Sequence, residues 1–199
     1  QKKSVQLVMY WGVEKDQADN QEAQAFNSIY TLQKKLQKFH IETEVFIILT
    51  DIHGQLNKIS PETMNNYYYT IERLAKKYTL RTILLSTLWK KYGYTLEHIT
   101  NSDEERIEQF LLKAAQKHYK GNNPYEGAVQ YTQCSLIDSK TILQEFPQAL
   151  FLTYNTSLWK PLLPALPTLV LWSQKKGFRI KPWHKNLLDF RAQKFHRNF

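Results

Sequence analysis

The sequence predicts a single α/β domain, a three-layer sandwich in which helices cover both faces of a mostly parallel central sheet. Three observations lead there. Residues 45–50 are a continuous β-branched, aromatic and aliphatic run without polar alternation, the pattern of a central strand buried on both faces. Similar runs occur at 82–88 and 149–155. Between them lie segments whose apolar residues recur every three or four positions, so strands and helices alternate as they do in a Rossmann-like fold.

Each element has its own local reason. Residues 5–10 read as an opening strand. Asp19 stands three residues before Glu22, the spacing of a capping box. Phe26, Ile29, Leu32, Leu36 and Phe39 then form one helical stripe. After the strand at 45–50, Ser60 and Pro61 open another helix, Ser as cap and Pro at the first helical position. Its inward face is Met64, Tyr67, Tyr68, Ile71, Leu74 and Ala75. Residues 82–88 read as a second buried strand. Ser102 and Glu105 repeat the capping-box spacing ahead of Ile107, Phe110, Leu111 and Ala114. Helical stretches are expected at 125–131 and 139–146, then the strand at 149–155. Pro161, Pro164 and Pro167 exclude helix interior or central strand and mark a stiff connector. Residues 168–172 read as the last core strand.

With 199 residues, 42% of them hydrophobic, the chain can bury one full core, and a single domain covering 1–199 is expected. No apolar run is long enough for a transmembrane helix and no signal peptide is visible; the chain opens without methionine, as a trimmed upstream segment would leave it. Cys134 is the single cysteine, which precludes an internal disulfide and suits a reducing, cytoplasmic setting. It is read as a small, half-buried core residue. The net charge of +9 is concentrated: residues 175–199 hold eight Lys or Arg and one acid, Asp189. That tail carries +7, which leaves +2 for the rest. A basic tail can attract nucleic acid or phosphate but is more often a solvated face, the preferred reading of the final ten residues. This one also lacks the aromatics interleaved on a strand face that single-strand binders use. A small molecule is the expected partner, and the oligomeric state stays open.

The strand at 45–50 runs directly into Asp51, His53 and Gly54. In open α/β sheets ligands bind in the crevice outside the carboxyl ends of the strands. Asp51 and His53 are two apart, so in an extended turn they would point the same way. The pair resembles the first metal motif of calcineurin-like metallophosphatases. The further Asp, Asn-His and His ligands of that family have no counterpart around His98, His118, His184 or His196, so no metal ligands are assigned. The alternative is that Asp51 and His53 tie down a tight turn. There is no Gly-x-Gly, so neither a dinucleotide fingerprint nor a P-loop can be written, and the sequence requires no cofactor.

Several landmarks taken in order resemble the isonitrile synthase family. They are Lys15 in the first loop, Asp19 and Glu22 opening a helix, Asp51 ending a strand, Tyr67 or Tyr68 in the next helix, Phe146-Pro147 before a strand, and Pro182-Trp183-His184. The resemblance implies an enzyme of secondary metabolism. It would condense the amine of an aromatic amino acid with the carbonyl of a sugar phosphate such as ribulose 5-phosphate, and eliminations and carbon–carbon cleavage would leave one carbon on nitrogen. Within that reading Asp51, His53 and His184 are expected to move protons, with Lys15 beside them as a fourth catalytic residue. Tyr67 and Asn155 are expected to contact substrate, and Arg179 and Lys181 to hold phosphate or carboxylate. The chain departs from the family at three points. Trp11 to Lys15 replaces a Phe-Pro-x-Lys-Ser loop, Asp51 and Gly54 are separated by Ile52 and His53, and Asn155 stands where a His is expected. An amide cannot exchange a proton near neutral pH as an imidazole does. A small-molecule-binding module of the same fold with altered catalysis is therefore the alternative.

Overall fold

The computed structural model describes residues 3–13, 17–99, 109–154, 163–174 and 177–182, with side chains for 4–13, 17–99, 111–154 and 163–171. Lys15, Asn155 and His184 lie outside the described residues, as do the Ser102–Glu105 box, Ile107, Pro161 and the tail beyond Pro182.

A six-stranded sheet forms the middle layer, built from β1 (Lys3–Trp11), β2 (Ile41–Leu49), β3 (Arg81–Leu84), β4 (Leu150–Thr153), β5 (Thr168–Gln174) and β6 (Gly177–Pro182). Its order is β3-β2-β1-β4-β5-β6. The first five strands are parallel, and β6 closes the far edge antiparallel to β5. The chain starts at the centre, builds outward through β2 to β3, then returns to the other side of β1. The expected α/β sandwich with a mostly parallel sheet is present.

Alternation along the central strands assigns each face its helices. Leu7, Met9 and Trp11 of β1 join Val45, Ile47 and Leu49 of β2 in one core, packed on α1 (Asn20–Lys38) and α3 (Pro61–Lys77). Val8, Phe46, Ile48 and Phe151 face the other way, onto α4 (Leu85–Lys91) and α6 (Pro124–Glu145). On the outside, α5 (Gln109–His118) sets Leu111 and Ala115 against Ala128 and Tyr131 of α6. Of the three sequence-read caps, the two among the described residues are made. Asp19 and Glu22 close a reciprocal capping box at α1, and Ser60 Oγ accepts the Thr63 amide at α3.

Four expectations need correction. Residues 82–88 are not one buried strand: β3 stops at Leu84 and Leu85 opens α4. As an edge strand β3 is only half covered, and Leu85, Leu88 and Trp89 carry a helix spacing that the aliphatic run concealed. Residues 125–131 and 139–146 are not separate helices but parts of the continuous α6, which ends at Glu145. Residues 168–172 lie in the last parallel strand, β5, but the basic segment after it is not all tail, because β6 takes its first part back along β5 as an antiparallel edge strand. Finally, the stretch after β2 is no extended turn. Asp51 opens a short helix, α2 (Asp51–Leu56), directly from Thr50.

Candidate functional site

The strand order fixes where a crevice can form. Going outward from β1, the chain uses one face of the sheet for the crossovers to β2 and β3, then passes to the other face before β4. The carboxyl ends of β1 and β4 are thus the point where strand order reverses, the position at which open α/β sheets bind ligands. Trp11 ends β1 there, Thr153 ends β4, and Tyr154 follows, its ring edge-on to the Trp11 indole at 6.4 Å between centroids. Thr50 leads into α2 alongside, and its backbone amide donates to the Trp11 carbonyl at 3.0 Å. Burial pushes the Tyr154 phenol well above its ordinary range, so it stays a neutral donor, directed at the Ala25 carbonyl of α1.

On the α1–α3 side, a buried polar chain runs beneath this point. Trp11 Nε1 donates to the Tyr67 hydroxyl at 3.2 Å, and that hydroxyl donates to Glu22 Oε1 at 3.0 Å. The second oxygen of Glu22 accepts the Asp19 amide at 2.7 Å. The N-terminus of α1 is where dinucleotide-binding sheets hold a pyrophosphate, because free amides and the helix dipole favour an anion. Here the capping box partners those amides and adds two carboxylates. Physical chemistry therefore sets the α1 terminus against phosphate, in agreement with the missing glycine fingerprint. Tyr67→Phe is expected to destabilise the fold by about 1–3 kcal/mol, because buried Glu22 loses a donor and Trp11 an acceptor. Denaturant unfolding measures this, and a cost under about 0.5 kcal/mol would mean that the chain of bonds carries little.

Asp51 and His53 lie at the carboxyl end of β2, as expected, but they do not point the same way. In a helix, side chains two apart diverge by about 200°. Asp51 Oδ1 accepts the Ser86 amide at 3.0 Å, so it caps α4 from outside, where the helix's own cap residue is Leu84, with no side chain able to do so. The Asp51 carboxylate also acts on Tyr68, whose phenol is pushed up chiefly by burial. His53 turns to the α4–α6 face. Its Nε2 lies 2.7 Å from Asp138 Oδ2, and the Tyr10 ring stands edge-on at 5.7 Å between centroids. Gly54 completes the motif because a Cβ there would run into the Met64 sulfur.

Asp138 was missed in the sequence. It is buried in the middle of α6, and its other oxygen accepts Trp89 Nε1–H at 2.8 Å. Cys134, one turn earlier, places Sγ 3.8 Å from Asp138 Oδ2. Cys134 is more buried than expected, and burial, with Asp138 beside it, pushes its thiol up, which rules it out as an activated nucleophile. The sequence signal was a Cys and an Asp four apart, which helical geometry sets on one face. The sequence pattern hides it by splitting α6 into two helical stretches with 132–138 between them.

Of the other named residues, Tyr67 is buried in the polar chain above. Arg179 and Lys181 lie in β6 opposite Trp172 and Val170, two strand positions, about 10 Å, from β4. A polar groove at the other end of the sheet, lined by Ser4, Tyr30, Gln33, Thr43 and Glu44, borders the amino ends of β1 and β2. Among the described residues no helix is long and apolar enough to cross a membrane.

Compared with solved structures, the chain is similar to the PvcA protein of Pseudomonas aeruginosa, with a TM-score of 0.56 over 81% of this chain and 68% of that one. That likeness establishes the fold. At 15% identity it shows nothing finer than the fold. No protein-family model matches the chain, and no curated protein matches it either. PvcA and this chain thus share an architecture, while the capping box, the Asp51 contact and the His53–Asp138 pair are features of this chain's own residues.

Proposed function

We propose that this chain is an isonitrile-synthase-like enzyme that condenses the amine of an aromatic amino acid with the carbonyl of a sugar phosphate such as ribulose 5-phosphate. The observation that carries the reading is the order of the landmarks from Lys15 to His184, which resembles that of the isonitrile synthase family, on a fold shared with PvcA.

Within this reading each residue has a task. Trp11 and Tyr154 bring aromatic rings to the carboxyl ends of β1 and β4, where an aromatic side chain would bind in this reading. Condensation requires removal of a proton from an ammonium and its delivery to a leaving oxygen. Asp51 and His53, at the carboxyl end of β2 but diverging from each other, are assigned to proton transfer with His184, with Lys15 as a fourth catalytic residue, while Asn155 is assigned to the substrate's polar groups. The phosphate is assigned to Arg179 and Lys181, since the capped α1 terminus is set against an anion.

The test is incubation of the purified chain with each aromatic amino acid and uniformly carbon-13-labelled ribulose 5-phosphate. One labelled carbon on the amino acid nitrogen, found by mass spectrometry, is the expected result. Thermal stabilisation by an aromatic amino acid without any labelled product would overturn catalysis and favour the binding module, a reading to which the engaged Asp51 carboxylate and the amide at Asn155 both lend support.

A further inference from the structure

We propose that His53, Cys134 and Asp138 form a binding site for a divalent transition-metal ion, with Zn²⁺ the best match to the donors. His53 Nε2, Cys134 Sγ and an Asp138 carboxylate oxygen lie within 4.8 Å of one another. An imidazole, a thiol and a carboxylate form a borderline-soft nitrogen, sulfur and oxygen set of the kind zinc takes, whereas calcium and magnesium take oxygen alone.

The surroundings are those of a site rather than of a chance cluster. Cys134 and Asp138 stand one helical turn apart on α6, the spacing that sets two ligands on one face of a helix. Asp138 Oδ1 is held by the buried Trp89 indole at 2.8 Å, which leaves Oδ2 as the oxygen turned toward both His53 and Cys134. A ligating carboxylate is commonly fixed through its second oxygen in this manner. The Tyr10 ring against His53 limits the imidazole in turn.

Charge and access agree. Asp138 is 1% exposed and pairs with no Lys or Arg among the described residues. A carboxylate and a thiolate together bring two negative charges, which a divalent ion with a neutral imidazole would balance inside the apolar layer. The His53 side chain is 35% exposed, so an ion can enter past it, and solvent can supply a fourth ligand there. Zinc bonds of about 2.0–2.3 Å imply ligand atoms about 3.3–3.7 Å apart. Nitrogen and oxygen, at 2.7 Å, need to part by about half an ångström, the sulfur at 3.8 Å from that oxygen is near its place, and the nitrogen and sulfur, within 4.8 Å, must close by up to about 1 Å. The inference does not depend on the isonitrile reading; with Nε2 on the ion, His53 would hold metal rather than move a proton, and proton transfer would fall to Asp51 and His184.

The test uses the full chain stripped by chelator and titrated with Co²⁺ alone. The expected result is a near-ultraviolet thiolate-to-cobalt charge-transfer band that saturates at one equivalent and is bleached by Zn²⁺. Cys134→Ser should abolish the band in a protein of unchanged circular dichroism. His53→Ala, checked for folding by circular dichroism because buried Asp138 loses a partner, should weaken Co²⁺ binding at least about tenfold, by analogy with the losses that accompany damaged metal sites. Absence of a saturable band in the folded wild-type chain overturns the proposal. So does a band that survives in Cys134→Ser, or unchanged affinity in His53→Ala, which also decides the matter if the cysteine variant does not fold.

Discussion

Ile47→Ala and Ile48→Ala should each destabilise the fold by about 2–5 kcal/mol, and the double variant should lose about the sum. The two side chains are neighbours in sequence, both fully buried, yet they enter different cores. Ile47 packs in the layer with α1 and α3, Ile48 in the layer with α4 and α6, so the cavities they leave share no lining. Non-additivity arises where two sites share contacts or a common relaxation, and here the sheet stands between them. Because whole domains are stable by only about 5–15 kcal/mol, the double variant is expected to be largely unfolded at room temperature. Urea denaturation of the singles, with circular dichroism of the double, measures this. A cost under about 1 kcal/mol at either single position would mean that one face of β2 is not closed.

Asp51→Asn is expected to lower turnover about 100- to 10,000-fold, the usual contribution of a group that moves a proton, while stability changes by less than about 0.5 kcal/mol. The geometry permits this separation. Asparagine keeps an oxygen to accept the Ser86 amide, so α4 remains capped, but it can no longer take or give a proton. Asp51→Ala removes both properties and should add a stability loss of about 1 kcal/mol, as deleted helix caps do. Turnover measured with labelled sugar phosphate, alongside thermal melts, distinguishes the roles. If Asp51→Asn retains full turnover while Asp51→Ala melts early, the carboxylate serves as a cap and nothing more.

The legible and illegible parts of this sequence divide along physical lines. Residues 45–50 could be placed at the sheet centre because burial on both faces leaves an unbroken apolar run, and the caps at Asp19 and Ser60 could be read because their chemistry is local. The end of β3 could not. An aliphatic run serves strand and helix alike, and the switch at Leu85 depends on Asp51, which is distant in sequence. The site divides in the same way. Asp51 was placed at the right strand end, but the divergence of Asp51 from His53 followed from a helix where a turn was expected. Asp138 was out of reach because its function as a neighbour of His53 and Trp89 exists only once α6 lies across α2 and α4.

The central place of β1 also has a consequence for how the chain is made. Leu7 pairs with Val45 on one side and Leu150 on the other. The second pairing closes a far longer stretch of chain, yet the added loop entropy is only about 1 kcal/mol, so it costs the finished protein little. On the ribosome the difference is one of time. At about 5–20 residues per second, the segment between the two pairing partners takes roughly 5–20 s to emerge. Throughout that interval the strand that will become the middle of the sheet is its outer rim, with the row of amides and carbonyls that later bond to β4 still open to any passing strand.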